Sequence, residues 1–165
     1  MTVKKEHIGF GGGCHWCTEA VFANLKGVSD VKQGWIASDG DASSFSEAVL
    51  LRFDPDAIPM KDLIHIHLLT HSSTSMHAFR EKYRSAVYTF NPAQASEAKS
   101  LIAQLANADD KRYITQVLPF RDFKLNDEKY QQYYLKHADK PFCKTYIDPK
   151  LAKLKSRYSR HLKGA

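Results

Sequence analysis

The residues most suited to chemistry lie together in Gly9 to Phe22, GFGGGCHWCTEAVF, where four glycines precede Cys14 and Cys17 follows three residues later. The chain holds only one other cysteine, Cys143. Cys14 comes after a strand-like run and at the first turn of a helix-like one. Backbone N–H groups and the helix dipole favour a thiolate at such a place. The glycines leave room for a ligand to approach the backbone. A phosphate loop would need a Gly-Lys-Ser/Thr ending, which this stretch lacks. Cys14 and Cys17 form a CxxC pair, the spacing of dithiol redox chemistry. A zinc site would need two further ligands, and a buried cysteine in a tight turn is the inert alternative.

Histidines in HIHLLTHSSTSMH offer candidate ligands, and His67 and His71 share a helix face. HExxH is absent, so these histidines are expected to be polar or core residues rather than metal ligands. Glu47 is more informative. Alternation in FSEAVLLRF puts Phe45, Glu47, Val49, Leu51 and Phe53 on one strand face. A carboxylate among such neighbours is costly to bury ionised, and a neutral carboxylic acid can donate a proton at pH 7. A flipped strand or an arginine partner would remove that role. Phe10, Trp16 and Trp35 could line an apolar pocket near Cys14, or simply fill the core.

Apolar periodicity sets out the elements that must position these groups. HIGFGG reads as a strand and CTEAVFANLK as a helix stopped by Gly27. VKQGWIAS and SFSEAVLLRF read as strands joined by DGDAS, and PMKDLIHIHLLTH as a helix opened by proline. RSAVYTF is a strand, NPAQASEAKSLIAQLAN a helix capped by Asn91, and YITQV another strand. NDEKYQQYYLKH and DPKLAKLKSRYSRHL complete the chain as helices. The first six elements run β-α-β-β-α-β, the order of a ferredoxin-like split β-α-β. The expected fold is therefore α+β, with an antiparallel sheet, helices on one face and a helical C-terminal extension. Residues 1–165 read as a single domain.

Composition narrows the classes further. With 165 residues, 43% of them hydrophobic, the chain can bury a substantial core. No segment approaches a membrane span, and MTVKKEHIGF lacks the apolar stretch of a secretory signal. An odd cysteine count argues against a closed set of structural disulfides and for a reducing, cytoplasmic setting. The net charge of +6 comes largely from DPKLAKLKSRYSRHLKGA. Without interleaved aromatics that run reads as a solvated helix face, so neither nucleic acid nor membrane is expected as a partner.

GGGCHWCTEAVF resembles the signature of peptide methionine sulfoxide reductase A. The likeness continues through FDPDAIPMKDLIHIHLLTH, KYRSAVYTF, ITQV and YQQYYLKHADKPFCKTYIDPKLAKL. It implies an α+β fold of the ferredoxin-like kind. It further implies that Cys14 attacks the sulfur of the S epimer of methionine sulfoxide, free or in proteins, and becomes a sulfenic acid. Glu47 would protonate the sulfoxide oxygen, Trp16 would hold the substrate methyl group, and Tyr83 would help bind the oxygen. Cys143 would resolve the sulfenate, with Cys17 as the alternative resolving thiol, and thioredoxin would reduce the disulfide. Such an enzyme needs no metal or organic cofactor, and a monomer is expected.

Departures from the family pattern are concentrated in a few places. His15 replaces a phenylalanine, making the methyl pocket more polar and, if protonated, favouring the Cys14 thiolate. The loop before Glu47 is short, and a second oxygen-binding tyrosine is missing; Phe45 or Trp35 would occupy its space. Ala78, with His77 and Glu81 nearby, stands where an acidic residue is usual, and Gln131 stands where a histidine is usual. Two other functions remain open: a general CxxC thiol–disulfide oxidoreductase, and a non-catalytic member that binds oxidised methionine.

Overall fold

The structure is a computed structural model that describes residues 5–71, 73–74 and 83–163. His77, Ala78 and Glu81 lie outside the described residues. A six-stranded sheet forms the frame: β1 (Glu6–Gly11), β2 (Val28–Ala37), β3 (Ser46–Phe53), β4 (Ala86–Thr89), β5 (Gln116–Pro119) and β6 (Asp122–Leu125). Their order across the sheet is β5-β4-β1-β3-β2-β6. The central β4-β1-β3-β2 is the split β-α-β core expected from the order of elements. Two additions flank it. β6 pairs antiparallel with β2, and β5 pairs parallel with β4, so the sheet is mixed and not wholly antiparallel. The helix α3 between β4 and β5 supplies the crossover that a parallel pair requires.

The described α-helices are α1 (His15–Ala23), α2 (Met60–Leu69), α3 (Pro92–Asp109), α4 (Tyr133–His137) and α5 (Asp148–Tyr158). Strand alternation sorts the sheet's two faces. Phe10, Val49, Leu51, Phe53 and Val87 meet Phe22, Leu63, Ile64, Ala98, Leu105 and Leu154 in one core beneath the helices. The stacked rings of Phe10 and Phe22, 4.6 Å apart, lock α1 onto β1. Ile36, Ala48, Ala86 and Tyr88 make a smaller cluster on the other face, covered by Leu118, Phe120 and Phe123.

Local sequence explains most boundaries. Asn91 Oδ1 accepts the Gln94 N–H at 2.8 Å and Pro92 opens α3, a capped start as its sequence implies. α1 ends at Ala23 rather than running to Gly27. Leu25 leaves the helix to bridge Leu162, and Gly27 (φ +85°) instead turns the chain into β2. The C-terminal extension departs further from expectation. In place of one helix, a 3-10 turn (Glu128–Tyr130), a left-handed Gln132 and the short α4 follow one another. A π-helical turn (Cys143–Ile147) then leads into α5. Wide polar spacing in NDEKYQQYYLKH left little apolar periodicity to sustain a continuous helix.

Candidate active site

Cys14 is the N-cap of α1, and its carbonyl accepts from the backbone N–H groups of Cys17 (3.1 Å) and Thr18 (3.2 Å). Thr18 Oγ1 adds a third bond to that carbonyl at 3.2 Å. The Cys17 thiol donates to Cys14 and holds it below the usual thiol range, helped by the N–H groups of Trp16 and Cys17, while burial opposes them. The same bond, with burial, pushes the Cys17 thiol up. Cys14 is partly open to solvent, and a side chain added at Gly13 would meet none of the described residues within 4 Å. The approach to the thiol is thus clear on that side.

Two histidines hold the glycine run in place. His67 Nε2 donates to the Gly11 carbonyl at 2.8 Å. The His71 ring stacks on His67 at 4.1 Å and hydrogen-bonds Ser85 Oγ at 2.7 Å. A Cβ at Gly12 would fall 2.4 Å from the His71 ring, so only glycine fits beneath it. These histidines serve as polar braces, as the absence of HExxH suggests.

Glu47 lies on the helix-covered face of β3 and is 7% exposed, so alternation assigned its side correctly. Its Oε1 accepts the His15 backbone N–H at 3.3 Å and lies 3.4 Å from His15 Nε2. Trp35, opposite Glu47 in the β2–β3 register, meets the His15 ring edge-on at 5.1 Å. Tyr83 is half-buried in the turn before β4. Arg84 pins that turn to β3, donating its backbone N–H to Ser46 Oγ at 2.8 Å and its guanidinium to the Ser44 carbonyl at 2.8 Å. Tyr83 and Glu47 are therefore neighbours of a bonded pair. Phe45 precedes β3 and is 43% exposed, so it does not join the buried face of Glu47, Val49 and Leu51. The strand starts only after it.

Trp16 stacks on Tyr133 at 4.1 Å and on Tyr130 at 5.5 Å, with the Phe142 ring edge-on at 5.3 Å. This aromatic wall continues into a cluster of Cys17, Tyr133, Cys143 and Ile147 that packs against Cys14. Cys143 is fully buried, and burial pushes its thiol up. Both candidate resolving thiols thus share one apolar cluster with Cys14. Lys150, half-buried at the start of α5, donates to the Thr70 carbonyl. Burial holds its ammonium below the usual lysine range, while the neighbouring sulfurs of Cys17 and Cys14 favour its charge. It is therefore an exception to the solvated face expected of the basic C-terminal run.

Further residues complete the site, and Glu19 among them falls within the GGGCHWCTEAVF stretch that carries the resemblance. Glu19, 2% exposed, accepts from the backbone N–H groups of Gln132 (2.9 Å) and Tyr133 (3.1 Å) and from Gln33 Nε2 (2.9 Å). It thereby clamps the C-terminal extension to α1. Gln33 and Asn126 carry no signal in sequence, because isolated amides have no periodicity. Only the fold joins them.

The sequence matches the family model described as peptide methionine sulfoxide reductase over residues 6–162. The chain belongs to that family. It is 32% identical to a peptide methionine sulfoxide reductase MsrA of Deinococcus radiodurans, covering 96% of this chain and 85% of the relative. A solved methionine sulfoxide reductase A of Corynebacterium diphtheriae is similar, with 25% identity and a TM-score of 0.67, over 81% of this chain and 76% of that one. Reduced Mxr1 of Saccharomyces cerevisiae shares the fold, with a TM-score of 0.72 at 19% identity, over 88% of this chain and 93% of that one. These likenesses support reading the chain as a methionine sulfoxide reductase, an oxidoreductase with an α+β fold. Among the described residues no helix is long and apolar enough to cross a membrane.

Proposed function

We propose that the protein reduces the S epimer of methionine sulfoxide, free or in proteins, with Cys14 as nucleophile. The observation that carries this reading is the pairing of a depressed, accessible Cys14 thiol with the buried carboxyl of Glu47, both held at the start of α1. The Cys14 thiolate attacks the sulfoxide sulfur while Glu47 gives its proton to the sulfoxide oxygen. Transfer of that oxygen to Cys14 leaves cysteine sulfenic acid and methionine: sulfur of the substrate is reduced by two electrons and the cysteine is oxidised by two. Trp16 receives the methyl group, and Tyr83 helps bind the oxygen.

In the next step Cys143 attacks the sulfenate, a disulfide forms and water leaves. Cys17 is the alternative thiol for that step. Thioredoxin then reduces the disulfide to two thiols. A structure of yeast Mxr1 in complex with Trx2, similar to this chain at a TM-score of 0.59, favours that partner. No metal or organic cofactor enters this scheme, and a reducing, cytoplasmic setting suits it.

Separate assays on the two sulfoxide epimers test the reading. Methionine should form from the S epimer with Cys14 intact and not with Cys14→Ser. Turnover by Cys14→Ser with dithiothreitol would overturn it. The Cys17–Cys14 hydrogen bond also favours a second reading, a general dithiol oxidoreductase, which should reduce the disulfides of insulin; failure to do so beside good sulfoxide turnover would exclude it.

A further inference from the structure

The two best described departures from the family pattern, His15 and Gln131, meet in one buried polar network whose hydrogen-bond directions can be worked out atom by atom. The network starts at Glu19, whose oxygens receive only donors. Gln33 Nε2 faces Glu19 Oε1 at 2.9 Å and the Tyr130 carbonyl at 2.5 Å, both acceptors, so this end of the amide must be the NH2 group. Gln33 Oε1 therefore accepts, and its partner is Asn126 Nδ2 at 2.9 Å. The orientation of Asn126 is fixed a second time, because its Oδ1 accepts the Asp127 N–H at 2.8 Å. Gln131 braces the arrangement. Its Nε2 donates to the Gln33 and Asn126 carbonyls at 2.9 and 3.1 Å, and its Oε1 accepts the Gln33 N–H at 3.1 Å.

The second hydrogen of Asn126 Nδ2 points to His15 Nε2 at 3.4 Å, which must then present a lone pair. The other ring nitrogen agrees independently. His15 Nδ1 lies 2.7 Å from the Gly34 carbonyl, an acceptor, and must carry hydrogen. Both ends give the neutral Nδ1–H imidazole. A Cβ at Gly34 would lie 2.0 Å from the Lys124 carbonyl, so glycine is required for β6 to bring Asn126 this close. The same Nε2 lone pair lies 3.4 Å from Glu47 Oε1. Were Glu47 ionised, two lone pairs would face each other there; a proton on the carboxyl turns that contact into an attraction.

We propose that His15 is a positioning residue that keeps the proton on Glu47, its imidazole held neutral by the Glu19–Gln33–Asn126 chain of amides. This rests on the reading of Glu47 as the acid of sulfoxide reduction. An imidazolium at His15 would turn its new Nε2–H against the Asn126 NH2, so His15 does not draw a proton away from the carboxyl. A neutral Glu47 also spares Cys14 the negative charge that would push its thiol up. Among the described residues, the other charged groups around the pair are Cys14 on α1 and Lys124 on β6, which lies over the Trp35 ring at 5.7 Å. The polar partners of the imidazole among the described residues are Gly34, Asn126 and Glu47.

Long-range nitrogen–proton NMR of histidine-labelled protein, without substrate, reads the tautomer directly, with the His15 signals assigned by their loss in His15→Gln. The expected result at pH 7 is a protonated Nδ1 and an unprotonated Nε2. An Nε2–H tautomer or an imidazolium would overturn the proposal, whatever becomes of the sulfenate reading. Asn126→Asp supplies the functional arm, because a carboxylate beside Nε2 draws the proton onto His15. Its kcat for S-sulfoxide reduction should fall at least about ten-fold, part of the roughly hundred-fold or more that a general acid contributes. The alkylation profile of Cys14 with iodoacetamide should move to higher pH, because an ionised Glu47 pushes the thiol up. His15→Phe/Asn126→Asp should regain most of the lost kcat. Equal loss in the double variant would mean that Asn126 acts only through folding and would overturn the relay.

Discussion

On one side of Cys14 stand Glu47, His15, Asn126, Gln33 and Glu19, a set of polar groups whose bonds have fixed directions. On the other stand Cys17, Cys143, Tyr133 and Ile147, an apolar cluster where burial and the thiol–thiol bond keep Cys17 and Cys143 protonated. The carboxyl side is organised by strands β2 and β3 at the middle of the sheet, and the thiol side by a C-terminal extension of short turns. The difference matches the two halves of the proposed reaction. Delivering a proton to a sulfoxide oxygen calls for a rigid, preoriented donor. Forming a disulfide calls for a segment able to move a buried thiol to Cys14, and short turns held by a few side-chain bonds are suited to that.

Changes on the two sides should therefore separate the two half-reactions. The largest effect is expected from Cys14→Ser, which should abolish methionine formation with any reductant. Glu47→Gln should come next. It keeps the shape but has no acidic proton, and should slow sulfenate formation by roughly a hundred-fold, within the usual range for a general acid. Single-turnover quench measures that step, and resolution by the thiols should keep its rate. Cys143→Ser should do the reverse: a full burst of about one methionine per enzyme, followed by loss of thioredoxin-dependent turnover. A burst lost in Cys143→Ser, or resolution lost in Glu47→Gln, would break the division.

Glu19 is the joint between the sides, so Glu19→Ala should affect both. Removing its carboxylate strands the part-buried Gln132 and the buried Tyr133 N–H groups and should cost about 3 kcal/mol, the scale of losing charged hydrogen bonds. Thermal unfolding would register it, along with faster alkylation of Cys143. The smallest effect is expected from Cys17→Ala. Loss of its S–H donor removes the main influence lowering the Cys14 thiol. The thiolate form should then require higher pH, and the alkylation profile of Cys14 should move upward. A downward shift would mean that the bond works in the opposite sense.

On the carboxyl side Glu47 itself was legible in sequence, and the reason is periodicity. Glu47 falls two residues from Val49 and four from Leu51, so a period of two placed it beneath the helices without knowledge of any partner. Cys14 was legible because a strand, glycines and a helix start are local features. The edges of the sheet were harder. β6 is short and mostly exposed, with no alternating apolar pattern, yet it delivers Asn126 to a partner 93 residues away in sequence. Phe45 read as core because alternation was carried one residue pair beyond the true start of β3. The thiol side was legible mainly through the resemblance of its residues to a family. Its turns are set by tertiary bonds such as those to Glu19, which local propensity does not encode.

Mass mapping of Cys17→Ser/Cys143→Ser after one equivalent of S-methionine sulfoxide, with dimedone present to trap sulfenic acid, tests the central claim most directly. One methionine released for each dimedone adduct on Cys14 is the expected result. Methionine released without an adduct on Cys14, or an adduct elsewhere in the chain, would contradict it.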